Sequence, residues 1–270
     1  MFLHGPTSVG KSPLTWAIAS AVASGDSCFG FSVAHTGNVL YIELDTPGSL
    51  IHPRLAKLIS KPTNFHISTF DHPINILNLR PLDGQRLKTL SVSLAPVLVI
   101  VNTLRKCHML DDKDSESPSQ IYSAFQSLFP GSTILFVHHD KKDPPSDISV
   151  NPDQAFSGSQ HWINDAQVAL HITRTGGAKK QQDEDGESYE RIRVMVKMTK
   201  SQVSDHERFH PISLQLSADG TNWLETGPVA YRKHFLSLDS GIARVDRIAM
   251  TVSHFGVGKS SVYEACRGLL

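Results

Sequence analysis

The sequence predicts an α/β protein built on a mostly parallel sheet with helices on both faces. Three observations carry this. Short apolar runs alternate with stretches of helical apolar spacing through the first half of the chain. The runs are continuous rather than alternating, as in strands buried on both sides. The chain has 270 residues, 40% of them hydrophobic, enough to fill a sizeable core.

Taken in order, "MFLHG" is a short apolar strand that turns at Gly5, and "PLTWAIASAVASG" has helical spacing closed by Gly25. "GNVLYIEL" reads as a buried strand, "SLIHPRLAKLIS" as a helix, "NFHIST" as a strand and "GQRLKTLSVSLA" as a helix. "PVLVIVN" and "STILFVHH" are two more buried strands, with the amphipathic "SQIYSAFQSLF" between them. After His139 comes a long polar stretch rich in Pro and Ser, "DKKDPPSDISVNPDQAFSGSQ", of the kind that is often functional. "AQVALHITR" and "RIRVMVKMT" then read as two strands joined by a solvated hairpin loop, "GGAKKQQDEDGES", and "HPISLQLS" as a last strand. Helical spacing returns from about Tyr231. A boundary near Gly227 and Pro228 divides the chain into a core, residues 1–228, and a helical segment, residues 229–270.

Composition narrows the function classes. With 26 basic and 26 acidic residues there is no net field to draw the chain to nucleic acid or an anionic membrane, so any such contact must be local. Cys28, Cys107 and Cys266 lack metal-ligand spacing and form an odd set, pointing to reduced thiols and a cytoplasmic setting. No apolar run reaches the roughly 18 residues of a membrane span, and the first residues lack the basic-then-apolar pattern and cleavage site expected of a secretory leader. That strand begins at the very start of the sequence, so the chain reads as a fragment or a trimmed protein.

Gly5, Pro6, Thr7, Ser8, Val9, Gly10, Lys11 and Ser12 fit the phosphate-binding loop G-x-x-x-x-G-K-[ST], between a strand and a helix as the motif requires. The glycines let backbone N–H groups curl around phosphates. The helix N-terminus adds a favourable dipole, Lys11 reaches the β and γ phosphates, and the Ser12 hydroxyl binds Mg²⁺. Pro13 suits the first helical turn, where its missing N–H costs little. The cofactors implied are ATP and Mg²⁺.

A second "VGKS" lies at residues 257–260, but the loop's first glycine is replaced there by Ser253 and the preceding residues have helical spacing. The pattern is helix, turn and helix: "VDRIAMTVSHF", a turn at Gly256, and "KSSVYEACRGLL" with Val262, Ala265 and Leu269 on one side. Lys259, Ser260 and Ser261 would open a DNA-recognition helix, and residues 241–270 hold Arg244, Arg247, Lys259 and Arg267 against Asp246 and Glu264. The alternative is a plain helical hairpin packed on the core.

In this order, "GPTSVGKS", "VLYIELDTP", "VLVIVNTLRKCH", "FVHHDKK", "FSGSQHWINDA" and "VKMTKSQ" resemble RecA-like ATPases of the RepA-type hexameric replicative helicases. The resemblance covers about residues 1–225. It implies a RecA-like three-layer αβα P-loop NTPase core and a homo-oligomer, with a hexameric ring as the family form, acting on DNA. It also implies a carboxylate after the second strand that polarises the attacking water. Asp45 matches that position better, and Glu43 is the other candidate. The family's Mg²⁺-holding aspartate is replaced by Asn102, an amide that cannot supply an anionic acceptor to a hard cation. By the same resemblance His139 is the γ-phosphate sensor. His138 and His139 are adjacent on a strand and face opposite ways, which argues against one metal held by both. Lys200 matches a basic finger acting in a neighbouring subunit, although Gln202 stands where the family has arginine. A solvated strand-end lysine is the plainer reading of Lys200. The loops "HMLDDKDSESPSQ" and "DKKDPPSDISVNPDQAF" fall where such rings face single-stranded DNA, with Lys141 and Lys142 as the obvious phosphate contacts and no aromatic platform for bases. Two functions are thus expected as competitors: an ATP-driven motor of the helicase type, and a nucleotide-dependent DNA-binding regulator or loader with weak or no turnover.

Overall fold

The computed structural model describes residues 1–56, 62–111, 113–141, 156–158, 160–175, 180–182, 188–190, 192–202, 210–217, 223–255, 257–267 and 269, without the side chains of 180–182 and 188–190. Strand β1 (Phe2–Gly5) leads into helix α1 (Lys11–Ser24). Then follow β2 (Val39–Glu43), α2 (Gly48–Leu55), β3 (Phe65–Thr69), α3 (Pro81–Leu94), β4 (Leu98–Asn102), a 3-10 turn (Leu104–Lys106), α4 (Ser117–Leu128) and β5 (Thr133–His139). The continuous apolar runs behave as expected: every residue of β1, β2 and β4 is buried.

These strands form one sheet ordered β3-β2-β4-β5-β1-β6, all parallel, with β6 (Val168–Arg174) beyond β1. Side chains along each strand divide between two cores. Leu3, Val39, Tyr41, Leu98 and Ile100 pack with Leu14, Trp16 and Ala19 of α1 and Ile51 of α2. Their neighbours Phe2, Leu40, Ile42, Val99 and Val101 pack with Leu87 of α3 and with Ile121 and Phe125 of α4. The strand period of two therefore buries both faces, and the three-layer αβα architecture follows.

Past β6 the sheet changes direction. β9 (Arg193–Ser201), β10 (Ile212–Leu216) and β11 (Trp223–Thr226) add in antiparallel order. Two corrections to the expected elements arise here. The hairpin between β6 and β9, expected as a loop, contains a small ladder of β7 (Lys180–Gln182) with β8 (Ser188–Glu190). "HPISLQLS" is not the last strand, because β11 pairs with β10 and completes the edge. With only four residues, β11 has too short a pattern to register in the sequence. A one-turn helix, α5 (His161–Asn164), was likewise not foreseen.

At Gly227 and Pro228, the expected boundary, strand gives way to helix. The described residues of the segment form α6 (Pro228–Ser237), which precedes the expected helix pair, then α7 (Arg244–Phe255) and α8 (Lys259–Ala265). Phe235, Ile248, Phe255 and Val262 join them in a cluster of their own, against which Ala265 and Leu269 pack. Helix α8 ends at Ala265 instead of continuing through the C-terminal residues, and the expected turn residue Gly256 lies outside the described residues.

Gly5 ends β1 against β6, and a Cβ there would sit 2.4 Å from the Ile172 carbonyl oxygen. That neighbour is backbone in mid-strand and cannot step aside. We expect Gly5→Ala to lower the unfolding free energy by about 2 kcal/mol or more in urea denaturation. Gly84→Ala, in the first turn of α3 with only ordinary contact at 3.6 Å from Leu79, should raise it by about 0.5 kcal/mol.

Candidate functional site

The carboxyl edge of the parallel strands gathers the polar residues singled out by the sequence. Between β1 and α1 the chain reverses through two left-handed positions, Ser8 at φ 59° and Gly10 at φ 101°. Gly10 is the residue before α1 and leaves no room for a side chain: a Cβ would lie 2.7 Å from the Trp223 ring of β11. The loop that results has Lys11 folded inward, 6% exposed, with Nζ donating to the carbonyl oxygens of Gly5 at 2.8 Å and Pro6 at 2.6 Å. Burial pulls the Lys11 ammonium down to about 8, opposed by the nearby carboxylates of Asp140 and Asp45.

An open cleft of about 530 Å³ lies over this loop. Thr7, Ser8, Gly10, Lys11 and Ser12 form its floor, and Asp45, Asn102 and His139 reach it from the ends of β2, β4 and β5. Five of the residues expected around a nucleotide, Lys11, Ser12, Asp45, Asn102 and His139, therefore share one space. Asp45 is half-exposed and pairs with Lys106 at 2.9 Å. Glu43 is fully buried behind Asn102 and does not line the cleft. Burial raises its carboxyl, against hydrogen bonds from Asn102, Thr46 and Asp45 that favour the ionised form. His139 faces the cleft from the end of β5, and burial together with the Lys11 charge lowers its affinity for a proton. His138, its neighbour, points into the apolar core beside Phe2 and Phe156 and is held down to about 4 by burial. The opposite facing of the two histidines is what the strand period requires.

Beneath the loop, His138, His4 and His171 stand side by side on β5, β1 and β6. Asp140 accepts from His4 Nδ1 at 2.8 Å and His171 Nε2 at 3.0 Å. Burial opposes ionisation of this carboxylate, yet the two histidine bonds hold it down to about 2. Among the described residues this is the grouping whose ligand atoms converge as a metal site would need. They meet each other at hydrogen-bond length, so the arrangement is a buried network tying three strands together.

The remaining expected residues lie elsewhere. Lys200 donates to the carbonyl oxygens of Ile163 and Asn164 at the end of α5. Lys141 is exposed just past β5, and Lys142 lies outside the described residues. Lys259, Ser260 and Ser261 are exposed at the start of α8, with the Lys259 ammonium 5.6 Å from the Tyr263 ring centre. The sequence reading missed Arg54, which lines the cleft from α2 and stacks over Trp16 at 5.2 Å, and also the apolar wall formed by Trp16, Ile192 and Leu216. No motif marks these residues; only the packing of distant segments brings them to the loop.

A profile of AAA domains matches residues 1–145, more than half of the chain. The chain belongs to the AAA domain family. Among solved structures it is similar to a KaiC-like protein from the hyperthermophilic archaeon Pyrococcus horikoshii OT3, with a TM-score of 0.51 and 10% identity, over 83% of this chain and 88% of that one. At that identity the likeness is one of fold, and it agrees with the RecA-like α/β core expected from the sequence. Among the described residues of this AAA domain no helix is long and apolar enough to cross a membrane.

The buried lysine gives the domain a pH signature. Its folded-state pKa, about 8, lies below its ordinary value of 10.5, so the folded chain releases this proton before the unfolded chain does. Stability contributed by this group is therefore lowest below about pH 8 and rises between there and 10.5. Relative to Lys11→Met, the wild type should gain about 2 kcal/mol between pH 7 and pH 10 in urea denaturation. A constant difference would mean that the ammonium is not held in this buried position.

Proposed function

We propose that this AAA domain binds ATP with Mg²⁺ and turns it over as a homo-oligomeric motor of the replicative-helicase type acting on DNA. The observation that carries the reading is the convergence of Lys11, Ser12, Asp45, Asn102 and His139 on one cleft over a glycine-framed loop. Backbone N–H groups at the start of α1 would receive phosphate oxygens, and Lys11 would exchange its bonds to Gly5 and Pro6 for bonds to the β and γ phosphates. The Ser12 hydroxyl and the Asn102 amide would hold Mg²⁺ or its waters, and Mg²⁺ would neutralise charge on the phosphates. Asp45, which lines the cleft and pairs with Lys106, would orient water. His139, at the end of β5, would sense the γ phosphate and pass the nucleotide state to the segment that follows. Arg54 adds a cation to the lining of the cleft. Lys200, as a finger for a neighbouring subunit, would have to leave its carbonyl partners on α5.

A second reading is a nucleotide-dependent DNA-binding regulator or loader. Its support is the three-helix cluster at residues 229–270, taken as a small domain of its own, in which Lys259, Ser260 and Ser261 open the last helix at the surface, as in a helix-turn-helix.

ATP binding and turnover, measured with and without single-stranded DNA, separate the two. Lys11→Ala should weaken ATP binding by at least about tenfold through loss of a charge-assisted contact to phosphate. Turnover stimulated by single-stranded DNA supports the motor. Absence of turnover together with ATP-dependent binding to duplex DNA supports the regulator, and unchanged ATP affinity in Lys11→Ala would remove the nucleotide site from both.

A further inference from the structure

Glu43 and Asn102 end adjacent strands and stand side by side in register across β2 and β4. Glu43 Oε1 accepts the backbone N–H groups of Asp45 and Thr46, each at 2.8 Å, which fills both of its acceptor positions. Oε2 accepts the Asn102 side-chain amide at 2.8 Å. A carboxylate can only accept, so the nitrogen of the Asn102 amide, not its oxygen, must face Glu43. The same nitrogen lies 3.4 Å from Ser12 Oγ. With its N–H bonds committed to these two oxygens, Asn102 is left with Oδ1 as its acceptor toward the cleft it lines.

We propose that Glu43 is a positioning residue for the metal–nucleotide site: from β2 it fixes the Asn102 amide and supplies the negative charge that related sites carry on β4. The proposal rests on the ATP and Mg²⁺ reading given above. The charge of the site is retained and moved one strand sideways. Asn102 is thus the partner that a neighbouring buried carboxylate requires. An aspartate in its place would set two carboxylates at hydrogen-bond distance, a pair that cannot both ionise at ordinary cost. The arrangement has a mirror image. Glu43→Gln combined with Asn102→Asp returns the carboxylate to β4 and gives it an amide donor from β2.

The test is the affinity of the full chain for a fluorescent, slowly hydrolysed ATP analogue in EDTA and in excess Mg²⁺, the ratio of the two being the metal coupling. Glu43→Gln alone should reduce this ratio by about tenfold or more, as expected when the outer support of a metal site is removed. Asn102→Asp alone should lower the melting temperature of the metal-free protein. The double substitution should restore both the melting temperature and the ratio, to within about threefold of wild type, because the two positions act as a unit. A ratio indifferent to Glu43→Gln, or a folded double variant no better than Glu43→Gln, overturns the proposal while leaving nucleotide binding in place. Should Glu43→Gln fail to fold alone, the double variant decides: retention of the wild-type ratio supports the pair and its loss overturns it. A wild-type chain that binds the analogue neither with nor without Mg²⁺ overturns the nucleotide reading and this proposal together.

Discussion

Burial of the parallel sheet on both faces is the constraint from which the site follows. Side chains of β1, β2, β4 and β5 are enclosed between helical layers, so polar groups near the carboxyl edge have little water to turn to and must satisfy one another. Asp140 accepts from His4 and His171, Glu43 accepts from Asn102 and two backbone amides, and Lys11 donates to two carbonyls of its own loop. Each bond joins groups from different elements or from an element and the loop beside it. The result is a floor for the cleft whose buried carboxylates are held by bonds from neighbouring strands and turns.

The loop is also braced from outside the segment that matches the AAA domain profile. Trp223 of β11 lies against Gly10, and Ile192 and Leu216 complete the wall of the cleft. The antiparallel extension therefore does more than cover an edge. It closes the space around the loop with apolar side chains, and it lies between the parallel core and the three C-terminal helices, of which α6 follows β11 directly.

Much of this was legible in the chain itself. The apolar runs of β2 and β4, the phosphate-loop spacing and the helix after it were read directly, because each depends on residues close in sequence. The opposite facing of His138 and His139 also followed from the strand period alone. Residues such as Arg54, Trp16 and Trp223 were not legible, because their importance comes from which distant segment they pack against. The β11 strand was missed for a related reason: four residues carry almost no pattern, and their pairing with β10 is what makes them a strand.

The case of residues 43, 45 and 102 marks the division most clearly. By itself the sequence determined that a nucleotide-type loop opens the core, that carboxylates end the second strand, and that an amide stands where a carboxylate was expected. Which carboxylate faces the cleft, and which is buried against the amide, was decided by the tertiary structure. The parallel register of β2 with β4 sets Glu43 beside Asn102, and the turn after β2 carries Asp45 out to Lys106. Local spacing fixes the direction of a side chain along its own strand. Its partner is fixed by alignment with a neighbouring strand more than fifty residues away in the chain, and only the folded sheet sets that alignment.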